Sequence, residues 1–170
     1  MKLMRLNFAM LGALLLAGHL FAQDPATAPN LQAHKAEAEK LRAAADATNG
    51  ERCTEVCVDA ARQLAELSND YFTIGNVEQA HATMKDAGRL AERAGGSSVS
   101  SKKRRKQTEI ALRKLEKRIS DIAQTLNFED RPPVEEIVKH IDKVRSDILM
   151  SMFDMPKKEL GPEKPEKEKR

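Results

Sequence analysis

The chain has 170 residues, enough for one modest domain with flexible ends. Aromatic residues make up only 4% of it and tryptophan is absent, a composition that favours helices over sheets. We therefore expect an all-α fold. The formal charge is +3, and it falls close to neutral once Lys2 and Arg5 are left out, so global electrostatics do not indicate a nucleic-acid partner.

Residues 1–22 have the layout of a secretory signal peptide. Two basic residues precede an apolar run from Phe8 to Ala17, and cleavage is predicted after Ala22 or Gln23. The run is short for a transmembrane helix, although an uncleaved anchor is the alternative. We expect an exported protein, periplasmic or secreted, with no membrane span after cleavage.

Residues 23–30 contain prolines and small residues and are predicted to form a flexible lead-in. An amphipathic helix follows, and Asn49-Gly50 ends it. Its stripe is Leu31, His34, Ala38, Leu41 and Ala45. Because this stripe is rich in alanine, the helix is not stable alone, and we expect it to cover one side of the hairpin described below.

Cys53 and Cys57 are four positions apart near the start of the next predicted helix. In an oxidising compartment two cysteines usually pair, but this spacing within a regular helix suits a disulfide poorly. Pairing becomes easier if Cys53 lies just outside the first turn. A structural disulfide, two buried free thiols, and a redox or metal role all remain open; His34 and His81 are the remaining candidate metal ligands.

Residues 61–94 show the pattern of two short antiparallel helices. Gly75 suits a left-handed helix end, and Asn76 with Gln79 forms a start resembling a capping box. Small and large apolar residues recur at fixed offsets on both helices, in the pattern Leu64-x2-Leu67-Ser68-x2-Tyr71-x3-Gly75-x4-Ala80-x3-Met84-x2-Ala87.

This pattern resembles a single tetratricopeptide repeat. It departs from that family at three positions: Leu64 replaces the usual tryptophan, Met84 the second-helix aromatic residue, and Glu92 the closing proline. In that family the first helix of each unit lines a binding groove. The resemblance implies partner binding through the residues at matched positions, with Phe72 as the apolar anchor. These are Arg62, Ala65, Asn69, Phe72 and Thr73.

Residues 95–101 are glycine and serine with one valine, and we predict a flexible linker there. A basic run follows at once and is a candidate site for a nucleic acid, an anionic lipid or an envelope polymer. Its residues are Lys102, Lys103, Arg104, Arg105 and Lys106. The alternative is a solvated first turn of a long helix, which the absence of interleaved aromatic residues favours.

Residues 102–155 are predicted to form a second helical hairpin, with Pro132 and Pro133 in the first turn of its second helix. Each helix carries a narrow heptad seam with charged flanks, as in a coiled-coil arm that docks on the first hairpin or pairs with a second copy. The seams are Leu112, Leu115, Ile119, Ile122 and Leu126, then Val134, Ile137, Ile141, Val144 and Ile148.

The second hairpin ends in an apolar cluster that either caps its base or forms an adaptable contact surface. The cluster is Leu149, Met150, Met152, Phe153 and Met155. Residues 156–170 are rich in lysine, glutamate and proline, and we expect this tail to be disordered.

The sequence contains no glycine-rich phosphate loop, no Gly-x-Ser-x-Gly and no His-Glu-x-x-His motif. We therefore expect no catalytic site, no cofactor and no resident metal. The main hypothesis is an exported, non-enzymatic interaction or scaffold protein that binds an unidentified protein or peptide. The alternatives are a homodimer formed through residues 108–153 and, third, a thiol-redox or metal protein.

Overall fold

The computed structural model describes residues 28–153, and these residues form five α-helices with no strand among them. This confirms the all-α class. The predicted signal peptide and charged tail lie outside the described residues, as do residues 23–27 of the predicted lead-in. Residues 28–30 belong to α1, so the prediction of a flexible lead-in is wrong for them. None of the helices within residues 28–153 is long and apolar enough to cross a bilayer. The helices are α1 Ala28–Ala47, α2 Glu51–Thr73, α3 Val77–Ser101, α4 Arg105–Thr125 and α5 Arg131–Phe153.

The predicted turn between α2 and α3 is present. Gly75 has φ 77°, the left-handed conformation that glycine adopts without steric cost. The amide of Asn76 donates to Tyr71 O at 2.8 Å and that of Gly75 to Phe72 O at 3.0 Å, which closes α2 with a Schellman motif. The Asn76 side chain then caps α3 by accepting from the Gln79 amide at 3.3 Å.

Helices α2 and α3 form the tightest part of the core. The buried hydroxyl of Ser68 donates to the carbonyl oxygen of Ala80 at 2.8 Å, so a small polar residue joins the two helices near their turn. Alanines at the contact allow the backbones to approach, and Leu64, Leu67 and Met84 fill the remaining space at no more than 4% exposure.

Helix α1 covers this hairpin, as the sequence predicted. Ala38 and Ala45 are buried in the common core. At the solvent edge His34 Nδ1 lies 2.6 Å from Asp70 Oδ2 of α2, and Arg42 Nη1 lies 2.8 Å from Asp86 Oδ2 of α3. Since α1 has few large apolar residues of its own, these polar contacts fix its position on the hairpin.

The α4–α5 hairpin lies beside the α2–α3 hairpin, and each helix runs parallel to its counterpart. Glu51 and Glu66 of α2 pair with residues 103 and 118, each 52 positions later. Gly88 and Gly95 of α3 approach Ile137 and Val144 of α5 in the same order. The two hairpins therefore share one continuous hydrophobic core.

The predicted arm thus docks within its own chain. Most residues of both heptad seams are buried, with Leu126 and Ile137 partly buried against the core. A homodimer through these same seams would have to separate α4 and α5 from the rest of the fold.

The flexible linker predicted at residues 95–101 is wrong, because α3 continues through Ser101. Gly95 and Ser98 are buried, and the Ser98 hydroxyl donates to Gly95 O at 2.9 Å. A Cβ atom on Gly95 would lie 2.2 Å from Val144 Cγ1. Glycine stands here because α5 packs directly on the backbone of α3, which outweighs the low helix propensity of the segment.

Candidate functional site: the groove between α2 and α4

A groove runs between the parallel helices α2 and α4 on the outer face of the two hairpins. It consists of two adjoining cavities of about 410 and 270 Å³, which share Val58, Asp59, Gln107 and Ala111. The larger cavity falls within the size range of about 300–1,000 Å³ that is usual for ligand pockets. We call the two cavities together the α2–α4 groove.

The floor of the groove is apolar. Val58 of α2 and Ala111 of α4 are partly buried, Leu115 is 3% exposed, and Ile110 is 41% exposed beside them. Ile110 lies outside the heptad seam of α4, so it contributes little to the core and faces the cavity instead. Ile110 is thus a large apolar side chain held half-exposed in a concave surface, where an apolar group of a partner could cover it.

The two walls differ in charge. Glu55, Asp59 and Glu66 line the α2 side together with Arg62, whereas the charged residues on the α4 side, Arg104, Lys114 and Arg118, are all basic. Ion pairs join the walls at both ends of the groove. At one end Arg118 binds both carboxylate oxygens of Glu66 at 2.8 and 2.6 Å; at the other Arg104 binds Glu55.

The end of the groove near Arg104 contains an unsatisfied polar group. Thr54 lines the smaller cavity and is 3% exposed, and its hydroxyl oxygen has no hydrogen-bond partner within residues 28–153. A buried hydroxyl without a partner is costly, by about 1–3 kcal/mol.

The structure separates the five partner-binding residues that the resemblance implied. Arg62 lines the α2–α4 groove and lies 3.4 Å from Asp59. Ala65 is completely buried and cannot contact a partner, so its assignment is wrong. Asn69, Phe72 and Thr73 lie beyond the two cavities, near the C-terminal end of α2; Phe72 packs edge-on against the His81 ring with centroids 5.2 Å apart.

The residues that sequence reasoning missed are Val58, Ile110 and Lys114. A signal was present, because Ile110 is an apolar residue outside the heptad seam of its helix, and Val58 and Arg62 fall one turn apart on α2. Their meeting across the groove depends on helices about 50 positions apart in sequence, which local patterns do not reveal.

The basic run forms the connection from α3 to α4. Lys102 and Arg104 have φ 56° and 57°, so this part is a tight turn and α4 begins only at Arg105. Lys103 pairs with Glu51 at 2.9 Å, Arg104 pairs with Glu55, and Arg105 donates to the carbonyl oxygens of Val99 and Ser151. Three of the five basic side chains thus pair with other residues of the chain, and anion binding by Lys102–Lys106 stays a prediction.

Cys53 and Cys57 are free thiols, both buried. Helix α2 begins at Glu51, so Cys53 lies inside the first turn, where the spacing suits a disulfide poorly. Burial, together with the hydrogen bond to Cys53, raises the pKa of Cys57 to about 12. The thiol therefore stays protonated at neutral pH, and a protonated thiol is a weak nucleophile and metal ligand.

His34 and His81, the two histidines considered as metal ligands, have structural partners. His34 binds Asp70, and His81 Nε2 lies 3.1 Å from the carbonyl oxygen of Asp130. Within residues 28–153 no group of three or more His, Cys, Asp or Glu side chains is placed to hold a metal ion.

Exposed apolar residues at the ends of the bundle form two separate groups. Phe128 in the α4–α5 loop is 86% exposed and Ile74 in the α2–α3 loop is 49% exposed. At the opposite end Phe153 is 82% and Met150 59% exposed, whereas Met152 packs partly against the core. Part of the predicted C-terminal cluster thus caps the core and part faces solvent, while Met155 lies outside the described residues.

Comparison with known proteins gave no match: no family model, curated protein or solved structure is similar to this chain at a significant level.

Proposed function

We propose that this chain is an exported, non-enzymatic interaction protein that binds a segment of a partner protein in the α2–α4 groove. The observation that carries the proposal is the apolar floor with the half-exposed Ile110 between two charged walls. Export follows from the predicted signal peptide, which places the interaction in the periplasm or outside the cell.

The proposal retains part of what the resemblance to a tetratricopeptide repeat implied. The groove lies along α2, the first helix of the resembling unit, and includes Arg62. The apolar anchor point moves from Phe72 to Ile110 and Val58, because those two side chains line the cavity. The second wall comes from α4, so one repeat-like hairpin and its neighbour form the site together.

The charges of the groove support a binding role. Asp59, Glu55 and Glu66 each lie within ion-pair distance of an arginine. Ion-paired carboxylates and arginines around an apolar floor can set the orientation of a bound segment.

Matched aspartate substitutions at two exposed isoleucines test the proposal. Ile110→Asp places a charge on the groove floor, and Ile74→Asp makes the same change in the α2–α3 loop at 49% rather than 41% exposure. The tagged mature protein is crosslinked in the envelope of its native host, and the stoichiometric partner is quantified. We expect Ile110→Asp to reduce capture at least tenfold, as for a central interface residue.

Ile74→Asp should leave capture unchanged, and circular dichroism must show that both variants remain folded. Phe72→Ala should also retain capture, since Phe72 packs on His81 rather than in the groove. Equal capture of the partner by wild type and Ile110→Asp would refute the proposed site. If only Phe72→Ala lost capture, the binding site would instead lie near the C-terminal end of α2.

A further inference from the structure

The C-terminal residues 154–170 follow directly after the last described helix, and their chemistry matches the α2–α4 groove. We infer that this segment occupies the groove of its own chain, with Leu160 over the apolar floor, and competes there with the external partner. The inference rests on the proposed function in that it names the regulation of the same site.

The first support is the place where the chain leaves the fold. Helix α5 ends at Phe153, and Arg105, the first residue of α4, donates to the carbonyl oxygen of Ser151 two residues earlier. The C-terminal segment therefore starts beside the N-terminal end of α4. The smaller cavity of the groove, which Arg104 and Thr54 line, lies at the same end of the bundle.

The second support is reach. Seven extended residues from Phe153 to Leu160 span at most about 25 Å. Along α4, the distance from Arg105 to Leu115 is about 15 Å at the rise of an α-helix. Leu160 can therefore pass around the start of α4 and reach Ile110 and Val58. The residues that follow are sufficient to extend along the groove to Arg118.

The third support is composition. Leu160 is the one large apolar residue between Pro156 and Arg170, and lysine and glutamate surround it on both sides. In the groove, lysines of the segment would join the existing ion pairs of Glu55, Asp59 and Glu66 with arginines, and its glutamates would face Lys114.

One leucine and several exposed ion pairs give only a weak contact. Tethering compensates for this weakness, because a short linker holds the segment at an effective concentration of about 1 mM. With an intrinsic dissociation constant of about 0.1–1 mM, releasing the segment would raise the apparent affinity of the groove for a partner about 2- to 10-fold. The contact thus modulates binding without blocking it.

Methyl NMR on the mature chain from Gln23 to Arg170 tests the occupancy without any partner. We expect nuclear Overhauser effects between the Leu160 methyls and those of Val58 or Ile110. Leu160→Asp should abolish them and shift the Val58 and Ile110 resonances. Pro165→Asp adds the same charge five positions later, keeps Leu160, and should leave the groove methyls unshifted.

Absence of any Leu160 contact, with identical groove spectra for wild type and Leu160→Asp, would overturn the inference. A failure of the proposed function would give a different result. In that case Ile110→Asp would not change capture of the external partner, whether or not Leu160 occupies the groove. If both are correct, Leu160→Asp increases partner capture by the 2- to 10-fold given above, and Pro165→Asp does not.

Discussion

Adjacent glycines in α3 offer a sharp test of how the two hairpins pack. Gly95 is buried against α5, and a Cβ atom built on it lies 2.2 Å from Val144 Cγ1 and 3.7 Å from Ile148 Cδ1. Gly96 is exposed, and a Cβ atom on it meets nothing within 4 Å. Gly95→Ala and Gly96→Ala are therefore the same chemical change in two opposite environments.

The magnitudes follow from two terms. Alanine is favoured over glycine inside a helix by about 1 kcal/mol, which applies to both variants. At Gly95 an overpacking cost of about 3 kcal/mol opposes it, at the upper end of the usual range, because Val144 is β-branched and 8% exposed and cannot turn away easily. We expect Gly95→Ala to lower the free energy of unfolding by about 2 kcal/mol and Gly96→Ala to raise it by up to about 1 kcal/mol.

Urea denaturation followed by far-ultraviolet circular dichroism measures both values. With a slope of about 2 kcal/mol/M, the midpoints should move by about −1 M and +0.5 M. The double variant Gly95→Ala/Val144→Ala should recover part of the loss, because it removes the clashing methyl group. If both single variants were neutral or stabilising, residues 95–101 would not pack on α5, and the flexible linker that the composition suggests would be the better description.

Two further predictions concern buried polar groups. Glu109→Gln should lower the free energy of unfolding by about 2 kcal/mol in denaturation experiments at neutral pH, because it takes one charged partner from the partly buried Arg145, which keeps Glu116 and Asp142. Burial opposes ionisation of Glu109, but hydrogen bonds from Arg113 and Arg145 outweigh it and hold its pKa below the usual value. The stabilisation that the Glu109 carboxylate provides is therefore present above about pH 4.3 and is lost as the pH falls through the folded pKa. If wild type and variant lost stability in parallel down to pH 2, this prediction would be contradicted. For the cysteines, we expect a thiol reagent at pH 8 to modify neither Cys53 nor Cys57 in the native reduced protein and to modify both in urea. Fast reaction of the native protein would contradict the burial of the two thiols. If no thiol reacted in urea without a reductant, the two cysteines would form a disulfide.

Local sequence signals predicted the parts of this fold that local physics decides. Gly75 and Asn76 mark the α2–α3 turn because a left-handed residue and a side-chain cap are needed there whatever surrounds them. Pro132 and Pro133 lie in the first turn of α5 for a similar reason, since the first helical residues need no amide donor. The heptad seams predicted which faces of α4 and α5 are buried.

The segment from Gly95 to Ser101 shows where such signals fail. Its composition is that of a linker, yet the spacing of Ala87, Ala91, Ala94 and Ser98 continues the helical period of α3 through it. The composition predicts a linker and the periodicity predicts a helix, and the contact of Gly95 with α5 stabilises the helix. The same close contact accounts for the glycine at position 95 itself, so the residue that suggested flexibility is the one that permits rigid packing.

The candidate site was harder to predict because it is formed by two helices that are distant in sequence. Arg62 was identified from α2, but the groove exists only because α4 lies parallel to α2 and contributes Ile110, Lys114 and Arg118. The ion pair of Glu66 with Arg118 joins the two helices in that alignment. Since both helices line the groove, the alignment that builds it also determines its chemistry: an apolar floor bordered by ion-paired acidic and basic side chains.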